Sequence, residues 1–221
     1  MEYLLHIDTS ADTGIIAIGH QGKVLASCIN TESRNHAGTI NNMINGLLAD
    51  IKISFKQLSA VAVCAGPGSY TGLRIGLATA KGMCYALDIP LILDNKLTLL
   101  AHNACKQHYY YSQYISLLQA REKEYFISIY NNNNICIVPP QHITEDQLDN
   151  MIDKNAKTYI VCDVAEKTID HLMIADLHTD FNVATPIDFW ISDAFEKFRC
   201  NQFANLMEAE PFYLKQVYTH K

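Results

Sequence analysis

At 221 residues, 49% of them apolar, the chain is long enough to bury a substantial core and suits either one domain or two small related lobes. Its net charge of −6 excludes a surface that grips nucleic acid through overall positive charge, and lysines and arginines form no cluster larger than isolated pairs. The chain is therefore not expected to grip nucleic acid by itself.

The first apolar run, Tyr3-Leu4-Leu5-His6-Ile7, ends in the acidic, hydroxyl-rich turn Asp8-Thr9-Ser10 and predicts a strand. Ile15 to Gly19 returns as a second strand, and Val24 to Ile29 makes a third after the turn His20-Gln21-Gly22-Lys23. Asp-Thr-Ser also occurs in aspartic proteases, and Asp12-Thr13-Gly14 looks like a second copy. Two carboxylates so close within one hairpin cannot meet face to face, which argues against a protease. A helix over about 36–50 follows, with Ile40, Met43, Ile44, Leu47, Leu48 and Ile51 at helical spacing. Burial against a sheet explains most such stripes, but a partner could also use this one.

The most informative segment is Gly66-Pro67-Gly68-Ser69-Tyr70-Thr71-Gly72-Leu73-Arg74-Ile75-Gly76, set between the apolar run Val61 to Ala65 and a helical pattern. Gly66, Gly68 and Gly72 permit positive φ and close backbone approach, while Ser69 and Thr71 can cap a helix beginning near Leu73. A strand, a glycine turn and a helix N-terminus together favour phosphate. A Walker loop needs a lysine after its last glycine, and Leu73-Arg74 stands there instead. A dinucleotide fingerprint needs two residues before its third glycine, and here there are three. The plain alternative is that the glycines let a helix pack tightly on a sheet. Gly72, Gly76 and Ala80 then align small residues along one side of that helix, where another backbone could approach.

A strand at Leu91-Ile92-Leu93 and a helix from about Thr98 to Gln107 complete a front lobe over 1–107, with the boundary in His108 to Tyr114 and a smaller α/β lobe over 108–221. The tyrosines at the boundary lack interleaved Arg or Lys and read as a packed connector. The second lobe offers strands near Ile115 to Leu118, Glu124 to Tyr130, Ile135 to Val138 and Tyr159 to Cys162, with Asn131 to Asn134 as a hairpin loop. Thr144-Glu145-Asp146-Gln147 is a capping box, and a late aromatic helix carries Phe195, Phe198, Phe203 and Leu206. Seven scattered cysteines without Cys-x-x-Cys spacing read as reduced core residues. With no leader before the first strand and no membrane-length apolar run, a cytoplasmic protein is the expectation.

Meander, helix, strand, glycine turn, helix and strand is the half-unit of the actin and sugar-kinase ATPase fold, giving an α/β chain of two actin-like (ribonuclease H-like) lobes. Ile7-Asp8-Thr9-Ser10, Arg34-Asn35-His36-Ala37, Gly66 through Gly76 and Ala80-Lys81-Gly82 resemble the TsaB (YeaZ) family. Weaker echoes persist at Ala120 to Tyr125, which includes Arg121, and at Pro211-Phe212-Tyr213-Leu214-Lys215. The resemblance implies a non-catalytic paralogue of TsaD that pairs with it, and with TsaE, to place threonylcarbamoyl on the adenosine beside the anticodon of ANN-decoding tRNAs. It also implies a homodimer in isolation that yields to the TsaD heterodimer, through the two front-lobe helices carrying Ile40, Met43, Ile44, Leu47, Gly72, Gly76 and Ala80.

No metal, catalytic residue or cofactor is assigned to this chain, ATP and a metal being expected on partner subunits. Lys96 and Leu100 fall where TsaD-like proteins carry His-x-x-x-His, and His102 nearby is a lone histidine. All ten glycines lie at or before Gly82. Gln119 stands where the family's second hairpin has aspartate, and Ile160 to Val164 where relatives show Gly-Asp-Gly, so the second lobe reads as degenerate. The rival function is a small ATPase or phosphotransferase that uses Asp8, Thr9, Ser10, Gly66, Gly68, Ser69, Thr71 and Gly72 as phosphate turns. A metallopeptidase, implied only by an older likeness of this superfamily to glycoproteases, lacks the histidine pair.

Overall fold

A nearly continuous buried run along β1 (Tyr3–Asp8) gives it two buried faces, as suits the centre of a sheet. It pairs antiparallel with β2 (Gly14–His20), which pairs antiparallel with β3 (Lys23–Asn30). On its other side β1 runs parallel to β4 (Leu58–Cys64), and β4 to β5 (Leu91–Asp94). The order is β3-β2-β1-β4-β5, with α1 (His36–Asp50) and α2 (Tyr70–Leu87) as crossovers. This computed structural model describes residues 2–30 and 35–214, so Arg34 and Lys215 of the motifs above lie outside the described residues.

Leu5, Ile7, Ile16, Ile18, Val61, Val63 and Leu91 meet Ile40, Ile44, Leu47, Leu77 and Ala80 in one core. The opposite face carries Leu4, His6, Ala62 and Ile92, all buried. Onto it packs α6 (Ile187–Arg199), whose Trp190, Ile191 and Ala194 are buried. His6 lies edge-on to Trp190, with ring centroids 5.0 Å apart. The Trp190 indole donates to Asp94, whose other oxygen accepts from the Lys197 ammonium; Lys197 also pairs with Asp193 at 2.6 Å. Burial raises the Asp94 carboxyl above its usual range, opposed by the Lys197 ammonium and the indole N–H.

A second sheet repeats the winding. β6 (Gln113–Arg121), β7 (Glu124–Asn131) and β8 (Cys136–Thr144) form a meander, and β9 (Thr158–Cys162) and β10 (Leu177–Asp180) run parallel beside β6. The order β10-β9-β6-β7-β8 matches the first sheet strand for strand. Tyr114, Leu118, Tyr130 and Tyr159 pack on α3 (Lys96–Gln107), while Ile115, Leu117, Ile127 and Ile160 face Leu148 of α4 (Glu145–Met151) and Ile169 of α5 (Glu166–Asp170). Thr144 forms the capping box of α4 with Gln147.

Contacts divide the chain into Met1–Asn95 with Pro186–Phe212, and Lys96–Thr185 with Tyr213–Lys221. This division differs from the expected boundary after Gln107, because Leu97, Leu100 and Ala101 of α3 bury against the second sheet. The late helix belongs to the first unit rather than completing the second, and it ends at Arg199, leaving Phe203 and Leu206 beyond it. Among the described residues no helix is long and apolar enough to cross a membrane.

Candidate functional site

The glycine turn follows β4 and closes on the turn that follows β1. Ser69 N–H donates to the Ser10 carbonyl at 2.7 Å, and Thr9 Oγ1 donates to the Gly72 carbonyl at 2.7 Å. Ser10 N–H donates to Asp8 Oδ1 at 2.8 Å, and Ser69 Oγ caps α2 by accepting from Gly72 N–H at 3.3 Å. Asp8, Thr9 and Ser10 are buried, whereas Gly68, Ser69 and Thr71 are exposed at the mouth of the turn. Gly66 has φ +121, where only glycine is unstrained. A Cβ at Gly68 would collide with the Ser10 carbonyl oxygen, and one at Gly72 with that of Thr9. The close approach that these glycines allow is thus made by the chain's own backbone.

In the second unit the hairpin after β6 also meets the turn after β9, but here the hairpin donates and a side chain accepts. At the β6–β7 hairpin Gln119 N–H donates to Asp163 Oδ1 at 2.6 Å. The Gln119 side-chain amide donates to the carbonyls of Arg121 and Glu124, bracing the hairpin. Ile160 and Cys162 are core residues, and Arg121 is exposed. Lys123 at the tip pairs with Glu145 at 3.6 Å beside a cleft of about 390 Å³.

Lys96 and Leu100, at the positions compared with a histidine pair, are buried and offer no metal ligands there. His102 stacks edge-on to Tyr130 at 4.6 Å. Among the described residues no three His, Cys, Asp or Glu side chains gather as a metal ion would require.

Of the residues expected at a partner face, Ile40, Ile44, Leu47 and Ala80 lie in the first unit's own core, and Met43 is partly buried against it. Gly72 and Gly76 face Thr9, so the small residues at 72, 76 and 80 serve internal packing. Helical spacing had picked out only this inward row. Ala78, Gly82 and Ala86 form an outward, exposed ridge on the same helix. A Cβ at Gly82, or at Gly46 on α1, would meet nothing within 4 Å. The ridge borders an open, largely apolar cleft of about 670 Å³ lined also by Asn41, Phe55 and Met83.

The family described as TsaD, tRNA N6-adenosine threonylcarbamoyltransferase, matches residues 23–204. The tRNA threonylcarbamoyladenosine biosynthesis protein TsaB of Bacillus subtilis (strain 168) is 32% identical over 143 residues, 63% of this chain and 61% of that protein. The protein of the same name from Haemophilus influenzae (strain ATCC 51907 / DSM 11121 / KW20 / Rd) is 32% identical over 126 residues, 57% of this chain and 52% of its own. The match thus spans between about half and two thirds of these relatives. The solved structure described as YeaZ from Pseudomonas aeruginosa superposes with a TM-score of 0.77 at 21% identity, covering 97% of this chain and all of that one, which is a likeness of fold.

Proposed function

This chain belongs to the family of TsaD, tRNA N6-adenosine threonylcarbamoyltransferase, on its TsaB (YeaZ) side, and from that premise we propose that it serves threonylcarbamoyladenosine synthesis on tRNA as a non-catalytic partner of a TsaD-type subunit. The observation that carries the reading is that the glycine turn after β4 and the β6–β7 hairpin each close on the chain itself. Ser69 N–H is taken by the Ser10 carbonyl and Gln119 N–H by the Asp163 carboxylate, so each turn spends on its own chain a donor that a phosphate ligand would need. The exposed Asp163 carboxylate beside this hairpin also repels an anion.

With chemistry assigned elsewhere, the working part of this chain is a surface. The outward ridge Ala78-Gly82-Ala86, Gly46 on α1 and the neighbouring cleft suit close approach by a helix of a subunit with the same fold. In isolation that subunit is a second copy of this chain; in the working complex it is the TsaD-type paralogue, with TsaE as a further component. ATP, metal and most tRNA contacts then reside on partners, in the cytoplasm.

Mixing the chain with its TsaD, TsaE, tRNA, ATP and threonylcarbamoyl adenylate, and omitting each component in turn, tests the reading. Transfer to tRNA is expected to require this chain. Calorimetry on the chain alone is expected to show no magnesium ATP binding, and micromolar binding with turnover would favour the rival ATPase.

A further inference from the structure

The cleft of about 390 Å³ in the second unit lies between two helices that present opposite charge to it. Glu145 and Asp149, one turn apart on α4, line one side; Lys167 and His171, one turn apart on α5 and its C-terminal cap, line the other. Leu148 and Leu172, each 2% exposed, make the floor. Lys123 enters from the tip of the β6–β7 hairpin.

The charges on the two helices do not neutralise one another. Glu145 pairs with Lys123 at 3.6 Å and Asp149 with Lys154 at 3.3 Å, both solvated pairs of the kind that contribute little. Lys167 has no ion-pair partner among the described residues. The walls are nonetheless fixed. Glu145 N–H donates to the Lys123 carbonyl at 2.9 Å, tying the hairpin tip to the first turn of α4, which the capping box of Thr144 and Gln147 holds in place. His171 Nδ1 donates to the Lys167 carbonyl at 2.5 Å. Lys123 itself has φ +59, a turn conformation that glycine or asparagine adopts with less strain. A lysine in that position brings an ammonium to the cleft at a cost to the turn.

A ligand that completes this arrangement carries both signs of charge on a small frame with an apolar branch. We propose that the cleft between α4 and α5 binds a free α-amino acid with a small apolar side chain, its carboxylate held by Lys167 and Lys123, its ammonium by Glu145 and Asp149, and its side chain laid on Leu148 and Leu172. A volume of about 390 Å³ is at the lower end for ligand pockets, as suits so small a molecule. The site lies wholly within the second unit and stands independently of the partner role proposed above.

Titration of L-alanine, L-valine and L-leucine into the isotope-labelled full chain tests it by NMR, with the dispersion of each amide spectrum reporting that the protein is folded. At least one of the three is expected to bind with a Kd in the millimolar range or below and to shift the amides of Lys123, Glu145 and Lys167. The deaminated acid and the decarboxylated amine of that amino acid, which each keep one charge, are expected to bind at least about tenfold more weakly. Lys167→Met and Glu145→Gln are each expected to raise the Kd about tenfold. Lys123→Gly is expected to weaken binding while the thermal midpoint stays or rises, because glycine takes that φ without strain. No amide shift with any of the three, shifts confined to residues outside the cleft, equal affinity for the single-charge analogues, or an unchanged Kd in both Lys167→Met and Glu145→Gln would overturn the site.

Discussion

Trp190 Nε1 donates a 2.6 Å hydrogen bond to Asp94 Oδ2, joining two buried groups 96 residues apart in sequence. Replacing Trp190 with Phe keeps an aromatic ring but strips a donor from a buried carboxylate. We expect a loss of about 2 kcal/mol in urea unfolding. Asp94→Ala also leaves Lys197 without its buried partner and should cost more, about 3 kcal/mol. Equal midpoints for wild type and Trp190→Phe would show that the bond contributes nothing net.

His6 is fully buried, and burial lowers its pKa from 6.5 to about 4, only partly offset by the bond to the Leu4 carbonyl. The folded state therefore holds it neutral, while the unfolded chain takes up a proton below about pH 6.5. Its contribution is present in full above that pH and lost as pH falls toward 4, a difference on the order of 3 kcal/mol. His6→Phe should flatten this part of the profile. Unfolding free energies of both proteins at pH 7 and pH 4.5 give the comparison, which cancels carboxylates common to both.

The glycines divide into two classes that substitution by alanine should separate. Gly68→Ala and Gly72→Ala drive a methyl into the backbone of Ser10 and Thr9 and should destabilise by about 3 kcal/mol or more. Gly46→Ala and Gly82→Ala enter open space within helices and should stabilise by roughly 0.5–1 kcal/mol. Thermal midpoints moving in opposite directions would report the two classes.

Thiol chemistry should follow exposure. Cys136 and Cys200 are exposed, Cys28 is half-buried, and the other four cysteines are buried. Burial pushes the Cys84 and Cys162 thiols up to about 11, which withholds the thiolate. Titration with an aromatic disulfide at pH 8 should label Cys136 and Cys200 first, the remainder reacting only after urea is added. Early labelling of Cys84 would contradict the packing described.

Period and punctuation made most elements legible. The helix expected over 36–50 spans those residues, and Thr144-Glu145-Asp146-Gln147 opens α4 as its pattern predicts. What escaped were relations between distant residues. Nothing local to Asp94 signals Trp190 or Lys197, and nothing local to Gln119 signals Asp163. The short elements α5 and β10 lack a strong period. Helical spacing picked out the row Gly72, Gly76 and Ala80 on α2 and missed the row Ala78, Gly82 and Ala86; Thr9 and Ile7, brought under Gly76 by the parallel pairing of β1 with β4, turn the first row inward.

Because α6 starts at Ile187 and β5 ends at Asp94, the ribosome must add the whole intervening stretch before α6 can pack on the sheet face that carries His6. At 5–20 residues per second, that nascent sheet stays bare on one side for roughly 5–20 s. Over that interval the emerging polypeptide presents a greasy surface to chaperones, and truncation before Ile187 would make the exposure permanent.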